Sequence, residues 1–371
     1  MLNLYDLKRV PRTWRIAYIP KKNGEKRKLT IPNDQLKELQ HDILQYLYEL
    51  VRQGKVQVSS LAHGFVPYHS CVTSILKHDK ESQVFLCCDM LHAFDLLDPE
   101  FAKVKLLDGG VSKAYADEII GACAYQNSLP QGGPASPYLL NIAMFDADCE
   151  IAAYAKKHGF QYTRYADDLV FSIRDVDGKA MQQLRAAEQA ILTELEKLPP
   201  LPEKPTEKQL KKRQEKREAI YEKHRSKNPF LWFLYGVDTI LQNTVNMRLN
   251  HKKDHVIFRG SKCKPHILGI SIRQDNHGYN AERKLREETR CGLCNLWHKI
   301  FDKQKGKYTD EDLKEWLRLK GRVEYCDMVR RVSDAGYDTC DPRVQEKYYN
   351  PLERLFNAEQ LSRQVKAGAK S

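Results

Sequence analysis

The chain has no apolar run of membrane-spanning length, although 42% of its 371 residues are hydrophobic. A bilayer crossing needs about 20 consecutive apolar residues, so membrane-embedded functions are set aside. Met1-Leu2-Asn3-Leu4-Tyr5-Asp6-Leu7-Lys8-Arg9 has no apolar core followed by a small-residue cleavage site. The expectation is a cytoplasmic protein, not a secreted one. Ten cysteines without such a leader point to free thiols in a reducing compartment. Cys291 and Cys294 have metal-type spacing, with His298 nearby and Cys326 and Cys340 beyond. The second tight pair that a zinc site needs is missing, so these are read as packing cysteines. Acid is also short: 49 Asp and Glu against 61 Lys and Arg leave a net charge of +12. That balance favours a polyanionic partner, nucleic acid above all.

Against this background the informative stretch is Tyr165-Ala166-Asp167-Asp168, between Tyr162-Thr163-Arg164 and Leu169-Val170-Phe171-Ser172. The pattern reads as strand, tight turn, strand, with two acids at the tip. Adjacent carboxylates resist joint ionisation unless a cation lies between them. A site for hard divalent ions is one reading, and an ordinary surface turn is the plainer one. Val84-Phe85-Leu86-Cys87-Cys88-Asp89 is an apolar run ending in a third acid. It reads as a buried strand whose carboxylate needs a cation, a hydrogen-bond network or a ligand.

Other segments bear on a phosphate-bearing substrate. Trp14–Pro20 and Arg27–Pro32 form a predicted hairpin with the basic Lys21-Lys22-Asn23-Gly24-Glu25-Lys26 turn. From Asp34, the spacing of Leu36, Leu39, Ile43, Leu44 and Leu47 predicts a helix, and a further helix is expected through Ser74, Ile75, Leu76 and His78. Gln131-Gly132-Gly133-Pro134-Ala135-Ser136-Pro137 is a small-residue loop opening a helix expected to run to about His158. A Lys/Glu/Arg-rich helical insert is expected at about 199–235, ending in the apolar Phe230-Leu231-Trp232-Phe233-Leu234-Tyr235, which must pack somewhere. Leu249–Phe258 and Ile267–Ile272 read as strands, and the chain from about Ala281 onward as charged helices.

The order of these pieces resembles the bacterial reverse transcriptases. The resemblance covers roughly Trp14 to Ile272 and continues loosely through Leu319-Lys320-Gly321-Arg322-Val323-Glu324-Tyr325. Ile19-Pro20-Lys21-Lys22-Asn23-Gly24, Ala62-His63-Gly64-Phe65 and Leu129–Pro137 are similar to retron, group II intron and phage-defence enzymes. It implies an α+β right-hand polymerase, with fingers, an antiparallel palm sheet on a ferredoxin-like core, and a helical thumb. The expected divisions are 1–80 for the first part of the fingers, 81–272 for the palm with the remaining fingers elements and the insert, and 281–371 for the thumb.

The same resemblance assigns roles. Asp89, Asp167 and Asp168, with the backbone carbonyl of Met90, would hold two Mg²⁺ ions, for which Mn²⁺ can substitute. Lys21, Arg27 and Lys253 would meet the triphosphate, Gln131 and Gly132 would line the nascent base pair, and Phe94 would reject a ribose 2′-hydroxyl by collision. Tyr165, Leu268, Gly269 and Gly321 would contact primer and template. The implied partners are dNTPs, a structured RNA template, its DNA product, and an effector protein or a second copy in a bacterial defence system, with no membrane. Ser74-Ile75 ahead of His78, and Ile267-Leu268-Gly269, depart from the retron pattern and lean toward another defence-associated relative. The rival readings are a template-independent or protein-primed polymerase and an idle RNA-binding scaffold. Three buried acids kept without a task weigh against the last.

Overall fold

The computed structural model describes residues 3–20, 24, 26–79, 81–175, 229–258, 266–272, 279–281, 283–305, 307–333 and 345–357, with scattered positions between 178 and 223. Packing divides the chain into two units, Met1–Ser70 with Ser74–Phe258, and Cys71–Thr73 with Arg259–Ser371.

In the first unit, β1 (Trp14–Pro20) pairs antiparallel with β2 (Lys26–Pro32), forming the expected hairpin. α1 (Leu4–Arg9) precedes the hairpin. After it, Asn33 accepts a hydrogen bond from the Leu36 amide at 2.9 Å, capping α2 (Asp34–Arg52). Helix α2 buries Leu36, Leu39, Ile43, Leu47 and Leu50 at helical spacing. α3 (Cys71–Leu76), α4 (Ala93–Leu96), α5 (Glu100–Asp108) and α6 (Lys113–Cys123) follow in the chain. β3 (Val84–Asp89) is buried at every position because it is central in a four-stranded antiparallel sheet. Its neighbours are β5 (Asp168–Ile173) and β6 (His255–Phe258), with β4 (Gln161–Tyr165) on the far side of β5. This is the expected palm sheet.

Two expectations change in this unit. The helix expected to run to His158 is two, α7 (Ser136–Ala143) and α8 (Phe145–Lys157), which meet at Met144 (φ −78°, ψ −2°), the C-cap of the first and N-cap of the second. Leu249 to Asp254 is not strand: the Asn250 amide donates to the Asp89 carbonyl and the Lys253 amide to the Asn250 carbonyl, curling the chain before β6. Most of the charged insert lies outside the described residues. Its apolar end opens α9 (Pro229–Val245), whose Phe230, Phe233 and Leu234 are buried. The Phe233 ring stacks on Phe160 at 4.3 Å and on Tyr154 of α8 at 5.1 Å.

The second unit is mainly helical. Ile267–Ile272 is a hairpin rather than one strand, because Leu268 and Gly269 adopt φ of +52° and +79° between β7 (His266–Ile267) and β8 (Ile270–Ile272). β9 (Tyr279–Ala281) adds a third strand. α10 (Arg283–Trp297) continues into a π-helical turn, His298–Lys303, and α11 (Asp310–Ser333) follows. Thr309 and Asp312 cap α11 reciprocally, each accepting from the other's amide. Trp316, 1% exposed, stacks on Phe356 in this unit's own core. Cys326 is buried as expected, whereas Cys291 is exposed and is no packing residue; Cys340 lies outside the described residues. Among the described residues, no helix is long and apolar enough to cross a membrane.

Candidate active site

The sheet register brings the three acids together. Asp89 ends β3 directly opposite Asp168, the first residue of β5. Tyr165 pairs with Asp168 across the β4–β5 hairpin, leaving Ala166 and Asp167 as a two-residue loop. Such loops call for positive φ, and Ala166 adopts +56°. The Met90 amide donates to the Asp167 carbonyl at 2.9 Å, tying the end of β3 to the turn. Asp167 and Asp168 are half-buried and Asp89 is 8% exposed.

Crowded carboxylates in a partly dry site raise one another's proton affinity. Burial, then the charges of Asp167 and Asp89, push Asp168 up to about 7, with Lys253 opposing. Asp167 is raised by burial and then by Asp89, while its own backbone amide, Lys253 and Arg27 pull it down. The Lys253 ammonium lies 2.6 Å from Asp89 Oδ2, and that hydrogen bond, chiefly, holds its proton more tightly. One protein cation therefore already answers part of the negative charge.

Among the described residues, no three His, Cys, Asp or Glu side chains converge closely enough to hold an ion by themselves. The donor chemistry nonetheless fits hard divalent ions. Mg²⁺ usually takes one or two carboxylates and completes its shell with water and substrate phosphate, rather than using an all-protein cage. Mutually repelling acids at one sheet end are such a donor set.

The other expected residues divide. Arg27, on β2 opposite Ile19, is near enough to Asp167 to lower its proton affinity. Lys21 lies outside the described residues. The Gln131–Gly132 loop rests on the β2 backbone: a Cβ on Gly132, whose φ is +140°, would lie 2.8 Å from the Thr30 carbonyl oxygen. Phe94, in α4 (Ala93–Leu96), belongs to the core with 8% of its surface open. Met90 is 1% exposed and Tyr165 half-buried. Leu268, Gly269 and Gly321 belong to the second unit, where the Tyr325 hydroxyl donates to the Gly269 carbonyl at 3.3 Å and Gly321 is exposed on α11.

Sequence reasoning missed the support beneath the turn. Arg164 and Asp148 are both fully buried and paired. The signal available was a charged residue between Thr163 and Tyr165 in a strand whose interior positions are buried. Asp148 gave none, since an acid in the first turn of a helix is ordinary.

A family model described as reverse transcriptase (RNA-dependent DNA polymerase) matches residues 19–215. The chain is 31% identical over 172 residues to the Retron Mx162 reverse transcriptase of Myxococcus xanthus, covering 42% of this chain and 34% of that protein. It is 32% identical over 165 residues to the Retron Ec86 reverse transcriptase of Escherichia coli, covering 44% of this chain and 50% of that one. The chain thus spans half or less of the length of these relatives. Both are retron enzymes, the alternative from which the departures at Ser74-Ile75 and Leu268 had leaned away. Among solved structures, telomerase from Candida albicans in complex with a fragment of telomeric RNA gives a TM-score of 0.41 at 11% identity, covering 92% of this chain and 59% of that one.

Proposed function

The chain belongs to the reverse transcriptase (RNA-dependent DNA polymerase) family, and on that footing we propose that it synthesises DNA on an RNA template by divalent-metal-dependent nucleotidyl transfer. The observation that carries this reading is the facing of Asp89 and Asp168 across two paired strands, with Asp167 at the adjoining turn. Asp89, Asp167 and Asp168, with the Met90 carbonyl, are the residues that would hold two Mg²⁺ ions, or Mn²⁺ in their place. The chemistry such ions supply is a lowered pKa at the primer 3′-hydroxyl and neutralisation of the leaving pyrophosphate.

This chain's own residues then position the reactants. Arg27, Lys253 and Lys21 bring positive charge to the triphosphate, and Lys253 can exchange its hold on Asp89 for a phosphate oxygen. The Gln131–Gly132 loop, seated on β2, lines the nascent base pair. The open edge of Phe94 screens the sugar, its ring held in place by the core. Leu268, Gly269, Gly321 and Tyr165 contact primer and template. The template is a structured RNA of retron type, and the setting is bacterial defence with an effector protein or a second copy as partner.

The test is dNTP incorporation on a primed RNA template with Mg²⁺, using Asp167→Asn/Asp168→Asn as the comparison. Incorporation that vanishes in the double variant is expected. A wild-type protein that incorporates nothing in the presence of metal would sink the reading, and synthesis without template would favour the template-independent rival. Sequencing nucleic acid that copurifies identifies the RNA.

A further inference from the structure

Beneath the catalytic turn lies a charged side chain that nucleotide chemistry does not use. Arg164 on β4 has none of its surface exposed, and neither has Asp148 on α8. Arg164 donates from Nε and Nη2 to the two Asp148 oxygens at 2.9 and 2.7 Å. The Tyr162 hydroxyl donates to the same carboxylate at 2.8 Å. The remaining nitrogen, Nη1, donates to Asn141 Oδ1 and to the Ala166 carbonyl, each at 2.9 Å. Asn141 on α7 donates in turn to the Gly64 carbonyl at 2.8 Å.

A buried ion pair is a weak device for stability, since well-packed apolar residues of similar volume often do as well or better. What an apolar replacement cannot supply is a rigid donor aimed at a carbonyl. Arg164 aims one at Ala166, the residue whose left-handed φ of +56° shapes the turn. Such a conformation costs roughly 1–2 kcal/mol for a residue with a Cβ and persists only where its surroundings over-determine it. The planar guanidinium, fixed by Asp148 and Asn141, is well suited to do so.

We propose that Arg164, braced by Asp148 and Asn141, is a positioning residue: a strut that fixes the Ala166 carbonyl and thereby aims Asp167 and Asp168. The proposal rests on the metal-holding role assigned to those acids above. Outer-shell partners of metal ligands commonly change affinity by about 10–100-fold when removed.

The experiment is direct Mn²⁺ binding to the full chain, read from the paramagnetic resonance signal of free Mn²⁺, with thermal melts alongside. Arg164→Lys keeps the charge but not the fork, and its Mn²⁺ affinity is expected to fall about 10–100-fold. Asn141→Ala leaves the Arg164–Asp148 pair intact and is expected to fall by a smaller factor; it decides the matter if Arg164→Lys does not fold. Leu47→Ala, a core truncation on α2, supplies comparable destabilisation and is expected to bind Mn²⁺ as the wild type does. Strut variants that lose no more affinity than Leu47→Ala overturn the proposal. Mn²⁺ binding indifferent to Asp167→Asn overturns the functional reading, and the strut with it.

Discussion

Gly64 offers a sharp test of how the Ala166–Asp167 turn is held. A Cβ built there would lie 3.0 Å from the Tyr165 carbonyl carbon, 3.1 Å from Ala166 Cα, and closer still to the Ala166 nitrogen. Comfortable heavy-atom separation is about 3.5–4.0 Å. All three obstacles are backbone, so no side chain can swing aside. The segment cannot easily withdraw either: the His63 amide donates to the Arg164 carbonyl at 2.7 Å, and the Arg164 amide to the Leu61 carbonyl at 2.8 Å. Gly64→Ala therefore displaces the turn by several tenths of an ångström or more, at an overpacking cost of roughly 1–3 kcal/mol. Displacements approaching 1 Å at reacting groups can cost about 100-fold in rate. The expected outcome in primer extension on RNA is a fall in turnover of about 10–100-fold, with template–primer affinity nearly unchanged. Denaturant melts should show the stability loss in the same variant. An alanine variant with wild-type turnover and wild-type stability would refute the contact.

Three further outcomes follow from other sites. His78, 2% exposed among Thr163, Ser172 and the Phe85 ring, is held down to about 3 by burial and then by His63, against 6.5 when free. Between those values the unfolded chain binds a proton that the native one refuses, so stability present above pH 6.5 drains away as pH falls toward 3. The loss is on the order of a few kcal/mol, and His78→Gln should flatten it in melts at stepped pH; an unchanged slope would assign the acid sensitivity elsewhere. Lys253→Ala removes the ammonium at 2.6 Å from Asp89, and the apparent dNTP affinity should fall roughly tenfold, the size of a charge-assisted hydrogen bond; unchanged affinity would remove Lys253 from the nucleotide site. Trp316→Ala empties the second unit's core of a side chain 1% exposed, at a cost of about 3–5 kcal/mol. A melt that moves by less than about 1 kcal/mol would show the site collapsing around the smaller residue.

Legibility followed interaction range. Asp89, Asp167 and Asp168 could be picked out because Asp89 and Asp168 sit at strand ends, and Asp167 in the turn between strands, where the pattern is local: an unbroken apolar run for β3, and two short runs about a turn for β4 and β5. Helix α2 was legible for the same reason, its apolar spacing and Asn33 cap being contained within one segment. Where long-range pairing decided, the reading failed. Leu249 to Asp254 runs directly into the apolar Val256-Ile257-Phe258 and reads as one strand with it, but the Asp89 carbonyl claims the Asn250 amide and bends the chain. Ile267–Ile272 has a strand's apolar alternation, yet two positive φ values fold it into a hairpin. Arg164, Asp148, Asn141 and Gly64 lie on four separate segments and meet only in the folded chain.

That contrast separates two kinds of requirement at the same turn. The proposed metal-holding acids sit at one end of the palm sheet, and two of them, Asp167 and Asp168, are adjacent in sequence. Their aim is set from behind, by groups that never need to meet a substrate and whose identity depends on what each segment happens to face. Arg164 can hold the Ala166 carbonyl only because Asp148 and Asn141 satisfy the rest of its guanidinium; with Asp148 removed, a buried charge is left unpaired at a cost of roughly 3–5 kcal/mol. Gly64 can approach the Ala166 backbone only because it carries no Cβ. The proposed active acids and the framework that orients them are therefore coupled through one residue, Ala166, held at its carbonyl by Arg164 and met at its nitrogen by Gly64, and a change on any of the four segments reaches Asp167 and Asp168 through it.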